Sequence, residues 1–280
     1  MALIVLCSAK GSPGVTTTAL ALAYAWPLAG DDRVVMVEAD PVGGDVSSGF
    51  LRGTVGPDVG VAALAAARNQ PFDVALMSEG LALDGTGRRL VLPGLSGTVQ
   101  GSRLDALWST LAELANASRD IHVIADVGRL VPGAPHPLVA RADAVLLVAT
   151  SSLRAVASAR PIVRRLTETS AGQATARRVA AVVVGERRPY PADEVTDSLG
   201  VDLAGTIAWD PGTAAVLSDG EPMSRRFARS ALVRSASVVA RSLHAMTAHA
   251  GTGSTAVAEA SVTSSATSTP PPAPTVGVAS

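Results

Sequence analysis

Five stretches of this chain are apolar at consecutive positions rather than at alternate ones. They are ALIVLCS (2–8), RVVMVEAD (33–40), IHVIADVG (121–128), DAVLLVAT (143–150) and RVAAVVVGE (178–186). A strand with one face in water alternates apolar and polar residues, whereas a strand covered on both faces does not. Helical stretches separate the runs. Helices are expected over about 16–28, 59–68, 71–78, 102–117, 152–168, 212–219 and 224–247, and a shorter strand over 203–210. Within 102–117, apolar residues at 104, 107, 108, 111 and 114 have the spacing of an amphipathic helix. Residues 81–94 read as a hairpin or two short strands around DGTG. Strand–helix alternation of this kind predicts an α/β fold, a doubly wound and mostly parallel sheet with helices on both faces. The composition agrees, since 48% of the chain is apolar and only 3% aromatic, leaving alanine, valine and leucine to do the packing.

Charge and cysteine content narrow the classes. A net charge of −1 excludes a polycation that binds nucleic acid through bulk charge. The single cysteine, Cys7, lies inside the first apolar run and reads as a small core residue; no disulfide can form within the chain. No run reaches the roughly 18–20 apolar residues of a membrane-spanning helix. The segment ALALAYAW (19–26) is flanked by a glycine loop and Pro27, so it reads as a helix rather than a signal-peptide core. The expectation is a cytoplasmic protein, possible peripheral association aside. Residues 249–280 carry one charge, Glu259, and no aromatic; they are expected to be a disordered Ser/Thr/Ala/Pro-rich tail after a nucleotide-binding domain over 1–248.

Ligands of doubly wound sheets bind at the carboxyl ends of the strands, and the polar residues of interest collect there. The segment AKGSPGVTTT (9–18) follows the first run. Gly11 and Gly14 let backbone N–H groups face phosphate oxygens, and the next helix presents its N-terminus to them. Ser12, Pro13 and Val15 complete the loop. Thr16 stands where a hydroxyl reaches Mg2+, and Thr17 and Thr18 can cap the helix or touch phosphate. A loop of the form G-x-x-x-x-G-K-[ST] needs lysine at the position of Val15. Of 23 basic residues, Lys10 alone is lysine. Asp40, past the second run, is placed to orient a water. Asp126, at the end of the third, has the pattern of an acid that holds Mg2+. Each motif also has a plainer reading: a Gly/Pro turn capped by threonine, a turn aspartate before Pro41, a strand-end aspartate.

In order and spacing these motifs resemble the MinD/ParA family of deviant Walker A P-loop ATPases, whose loop reads K-G-G-x-G-K-[ST]-[ST]. KGSPGVTT (10–17) matches it at Lys10, Gly11, Gly14, Thr16 and Thr17. EADPVGG (38–44) is similar to the family's D-x-D-P-x-G, with Glu38 replacing the first acid and Asp40 keeping the second. VIADVG (123–128) is similar to the switch II strand, 142–166 to the strand and helix that follow, and 203–223 to the stretch G-x-I-P-x-D…G-x-P. The resemblance spans about residues 2–245 and implies a SIMIBI-type P-loop fold with ATP and Mg2+ as cofactors. It implies catalytic roles for Lys10 and Asp40, nucleotide contacts from Lys10 through Thr17, and Mg2+ at Thr16 and Asp126. Lys10 corresponds to the signature lysine that reaches across a homodimer to the partner's phosphates. Val15 replaces the lysine that holds the β- and γ-phosphates within one subunit.

The implied function is nucleotide-dependent dimerisation that positions or regulates an assembly: partitioning, division, or a pilus or secretion machine as in the TadZ/CpaE branch. Hydrolysis is expected to be slow or absent. The alternative is a non-enzymatic pseudo-ATPase scaffold that binds a partner protein without nucleotide. A different enzyme on the same fold, such as an amidoligase, finds no substrate motif here. Gly185 and Glu186 stand where the family often has an adenine-reading asparagine, and Arg187 or Arg188 either stacks on a base or is simply solvated. The segment 224–246 carries five arginines and no acid. It offers non-specific DNA or anionic lipid a basic face, or packs on the sheet through Phe227, Leu232, Val239, Leu243 and Met246. The tail lacks the amphipathic helix by which MinD attaches to membrane, so that route is not expected.

Overall fold

The computed structural model describes residues 2–10, 13–67, 69–95, 104–130, 136–171 and 178–262, without side chains for 169–171 and 249–262. In chain order the elements are β1 (Leu3–Ser8), α1 (Val15–Ala25), β2 (Arg33–Glu38), α2 (Val61–Ala66), α3 (Phe72–Glu79), β3 (Leu81–Ala82) and β4 (Arg89–Leu92). There follow α4 (Asp105–Ala117), β5 (Ile121–Arg129), α5 (Pro137–Arg141), β6 (Ala144–Thr150), α6 (Leu153–Ala171) and β7 (Arg178–Val184). The last are α7 (Ala192–Leu199), β8 (Asp202–Ile207), α8 (Pro211–Ser218) and α9 (Ala231–Val262). The strands form one sheet in the order β3-β4-β2-β5-β1-β6-β7-β8. Every pairing is parallel except the short β3–β4 edge.

The consecutive apolar runs are explained by which way alternate residues face. Leu3, Val5, Cys7, Val35, Val37, Val123, Ala125, Val145 and Leu147 join one core, under α2 to α7. Ile4, Leu6, Val34, Met36, Ile124, Leu146 and Val148 join the other, under α1, α8 and α9. Both faces are dry, so the central strands are apolar through most of their length, and their buried polar residues (Ser8, Glu38, His122, Asp126) fall toward strand ends. Cys7 is fully buried; desolvation pushes its thiol up to about 12, and it packs as an inert hydrophobe.

Several elements differ from the sequence expectation. Helix α1 stops at Ala25, since Trp26 turns extended ahead of Pro27. Two helices were not foreseen, α5 and α7, each led in by a proline at or beside its first turn. The single helix expected over 224–247 is broken. A 3-10 turn at Phe227–Arg229 comes first, Ser230 turns extended, and its Oγ then accepts from Val233 N–H as α9 begins. The expected apolar stripe does pack on the sheet: Phe227, Leu232, Val239 and Leu243 are buried and Met246 partly so. Arg225, Arg226, Arg229, Arg234 and Arg241 all face outward. Helix α9 continues to Val262, into the segment where composition predicts disorder; the alanines there favour helix. Residues 263–280 lie outside the described residues.

Candidate functional site

Strands β1, β2 and β5 are neighbours, and their carboxyl ends come level. In register, Leu6 and Glu38 both sit beside Asp126. Strand β1 is flanked by β5 and β6, the place where the winding of the sheet reverses and a crevice opens. The loop that follows β1 runs into α1, so the groups nominated from the sequence converge on this crevice.

Gly14 enters α1 with φ of 86°, a left-handed turn that L side chains rarely adopt. Among the described residues no side chain caps this end of α1, and no acid lies in its first turn. Its N–H groups are therefore available to an anion. Gly11 and Ser12 lie outside the described residues. Val15, the first helical residue, is only 7% exposed and joins the apolar layer beneath α1.

Thr16 and Asp126 are in contact: Thr16 Oγ1 donates to Asp126 Oδ2 at 2.6 Å. Asp126 Oδ1 accepts from the Gly128 N–H at 2.8 Å, and the residue is 1% exposed. Burial raises its carboxyl to about 6; the bonds from Thr16 and Gly128 lower it, and Asp40 and Asp45 raise it further. Asp40 is half-buried, and its Oδ1 accepts from Val42 N–H at 2.8 Å. Its carboxyl too is raised, by burial first and by Asp45 next. Asp40 packs directly on Gly128, where a Cβ would overlap its carboxylate; Gly128 has φ of 62°. A threonine hydroxyl thus bonds a buried acid that feels the charge of two more, Asp40 and Asp45, and Val15 stands in the place of the second motif lysine. A hydroxyl beside hard carboxylate oxygens suits Mg2+, and the raised carboxyls indicate a site in want of positive charge.

Two residues that shape this site had no functional role assigned from the sequence. Glu38, though noted as a departure from the motif, is its anchor. Its Oε1 accepts from Asp45 N–H (2.7 Å) and Val46 N–H (3.0 Å), and its Oε2 from Gly94 N–H (2.8 Å). It pins the loop after β2 to the end of β4. Side chains at Gly44 or Gly94 would collide with it. Burial raises Glu38 to about 7, against the lowering by its backbone donors. His136 caps α5: its Nδ1 accepts from Leu138 N–H at 3.3 Å, leaving Nε2–H to donate to Ala39 O at 3.0 Å. That bond holds the backbone next to Asp40. The signal was legible as His-Pro ahead of an apolar turn.

Lys10 is exposed. It lines a cleft of about 400 Å3 with Pro13, Thr150, Ser152 and Arg154, off the ends of β1 and β6. Thr17 is part-buried in the first turn of α1. Further along the same edge, Arg188 is not simply solvated: its guanidinium lies 5.0 Å from the ring centroid of Trp209, which is 52% exposed. Ser151 ties this corner together, donating to Gly185 O at 2.9 Å and accepting from Arg188 N–H at 2.8 Å. Trp209 had escaped notice because an exposed tryptophan leaves no periodic mark.

No protein-family model matches the chain, and no curated protein does. Its fold is shared with MinD/ParA family ATPases of known structure. A ParA family ATPase from Chlorobium tepidum superposes with a TM-score of 0.64 at 17% identity, covering 84% of this chain and 96% of the other. The septum site-determining protein MinD from Pyrococcus horikoshii, complexed with Mg-ADP, gives 0.59 at 16% identity, covering 85% and 93%. A putative plasmid partition protein from Borrelia burgdorferi bound to AMPPNP gives 0.57 at 12%, covering 88% and 98%. The eight-stranded, mostly parallel sheet with helices on both faces is thus the MinD/ParA P-loop fold.

Proposed function

We propose that this chain is a degenerate member of the MinD/ParA family: an ATP-binding protein that dimerises with nucleotide and positions or regulates another assembly, hydrolysing ATP slowly or not at all. The observation that carries the reading is the Thr16–Asp126 pair at the base of an uncapped, left-handed entry into α1, with Asp40 beside it. Relatives in fold have been captured with Mg-ADP and with AMPPNP, and the donor set fits the same ligand here.

In this reading the amide groups opening α1 hold phosphate oxygens. Thr16 Oγ1 and Asp126, now bonded to each other at 2.6 Å, would hold Mg2+. The ion supplies charge neutralisation at the phosphates. Asp40 orients a water through the oxygen not engaged by Val42 N–H. Val15 contributes no charge, which removes a contact of about 1.5–3 kcal/mol to the phosphates and weakens stabilisation of charge that shifts during transfer. In this reading exposed Lys10 acts on a second copy's nucleotide, the role that the motif resemblance implies for it. The assembly served is one whose placement in the cell is regulated, cytoplasmic or at a membrane surface.

Titration with a fluorescent ATP analogue, with and without Mg2+, tests the reading. Saturable binding below millimolar, strengthened by Mg2+ in the native chain and insensitive to Mg2+ in Thr16→Ala, supports it. Binding weaker than millimolar in both conditions overturns it and leaves the nucleotide-free scaffold.

A further inference from the structure

At the opposite pole of the sheet, where the strands begin, three ligand-type side chains from three distant parts of the chain meet: Asp32, ahead of β2; His122, the second residue of β5; and His244, on α9. One ligand atom from each lies within 4.8 Å of the others. The His122 and His244 ring centroids are 5.3 Å apart, and Trp26 packs on both, at 5.6 and 5.9 Å. Apolar core surrounds the cluster, from α1 on one side and α9 on the other.

The hydrogen bonding of His122 is incomplete. Its side chain is 3% exposed, yet Nδ1 has no partner, and Nε2 stops 3.9 Å from Asp32 Oδ2. The contact with Asp32 is long for a hydrogen bond, and Nδ1 is left with no partner at all. Buried polar groups left in this state are rare. Two imidazoles and a carboxylate are a common donor set for a divalent transition ion, with bonds of about 2.0–2.2 Å. Tetrahedral bonds of that length hold ligand atoms about 3.4 Å apart, so an ion would draw these groups, now within 4.8 Å, closer together. Asp32 Oδ2 also accepts from the Ala29 N–H at 3.0 Å, which fixes this carboxylate in its turn, and His244 is half-buried on a helix face. Beside the ion, the orphaned Trp26 Nε1–H would find an acceptor in a metal-bound water or carboxylate.

We infer that Asp32, His122 and His244 form a binding site for a Zn2+-class transition ion, which ties the middle of α9 to the sheet at the pole away from the candidate nucleotide crevice. The site does not depend on the proposed function. It links α9 to the turn ahead of β2, so occupancy would hold these two elements against the start of β5.

The whole chain, stripped with a chelator and titrated with Co2+, provides the test. The expected result is one ion per chain, the visible absorption band of a four-coordinate N/O site, and partial quenching of tryptophan emission through Trp26. Zn2+ should displace Co2+ and raise the unfolding temperature of the native chain. His244→Ala and Asp32→Asn should each weaken Co2+ binding at least 10–100-fold, the loss typical of even an outer-sphere partner, and abolish the thermal shift. Asp126→Asn, at the other pole, should leave Co2+ binding unchanged. Metal binding that survives both His244→Ala and Asp32→Asn, binding lost in Asp126→Asn, or no saturable binding at millimolar Co2+ would overturn the inference. The two ligand variants alter different elements, so failure of one to fold leaves the other to decide.

Discussion

In the proposed function, Val15 is the residue that separates holding a nucleotide from turning it over. The position opens α1, and its side chain has been drawn into the apolar layer below. Val15→Lys is expected to tighten ATP-analogue binding roughly 10- to 100-fold, the range of a charge-assisted contact worth about 1.5–3 kcal/mol. It should also raise phosphate release above background, because Thr16, Asp126 and Asp40 are already in place. An unchanged dissociation constant in the binding assay would show that the loop cannot direct a lysine at the phosphates. Glu38 makes a prediction of opposite character. Its folded carboxyl lies near 7 against 4.5 when free, so the folded chain binds this proton more tightly than the unfolded one. The linkage relation then makes native stability fall as pH rises through the interval from about 4.5 to 7. Glu38→Gln, which cannot ionise, loses that dependence. The stability of wild type minus that of Glu38→Gln should drop by up to about 3 kcal/mol between pH 4 and pH 8. Urea unfolding at the two pH values reads the difference, and a constant difference would mean that folding does not raise this carboxyl.

Among the elements, β8 and α9 depend on a close approach. Gly205 lies in β8 with φ of 149°, and a Cβ there would come within 2.6 Å of Val239 Cγ2 on α9. The helix packs against β8 at this point. Gly205→Ala should lower stability by about 1–3 kcal/mol, through overpacking and a disfavoured backbone angle together, as read by denaturant unfolding. Since nucleotide groups sit at the other end of β1, β2 and β5, analogue affinity should be preserved in the same variant. Much of this layer was legible beforehand. The strands, α1, α4 and α6 follow from run length and 3.6-residue spacing. The short helices α5 and α7 did not, because five to eight residues with a proline lead make too few turns to show a period. The broken start of α9 was missed for a related reason. An arginine-rich segment reads as one helix until Phe227 is seen to bury itself against Tyr24, with ring centroids 5.0 Å apart, in a turn of its own.

For the whole molecule the question is what two copies do. Lys10 is exposed and lines a cleft beside Pro13, Thr150 and Arg154, and the proposed function gives it a role at a neighbouring copy. In the proposed cycle Lys10→Ala should abolish ATP-dependent dimers in light scattering while monomer affinity for the analogue changes less than about threefold, the effect of losing only a weak exposed contact. Dimers that form equally well in the variant would remove Lys10 from the interface. Exposed Val42, Leu153 and Trp209 line the same edge of the sheet as Lys10, and the arginines of α9 face solvent elsewhere. No helix among the described residues is long and apolar enough to cross a membrane.

Strand burial, the two-faced sheet, the order of its central strands' motifs and the pairing of a hydroxyl with Asp126 could all be read from residue order, because each rests on local spacing or on a motif whose parts the sheet must bring to one end. Glu38 as a clasp between three backbone amides, His136 as the brace beside Asp40, the Arg188–Trp209 stack and the Asp32–His122–His244 cluster could not. Each joins residues that are far apart along the chain and share no period. Their meeting is set by which strand lies beside which, and a linear pattern carries no record of that until the sheet has closed and the helices have been laid upon it.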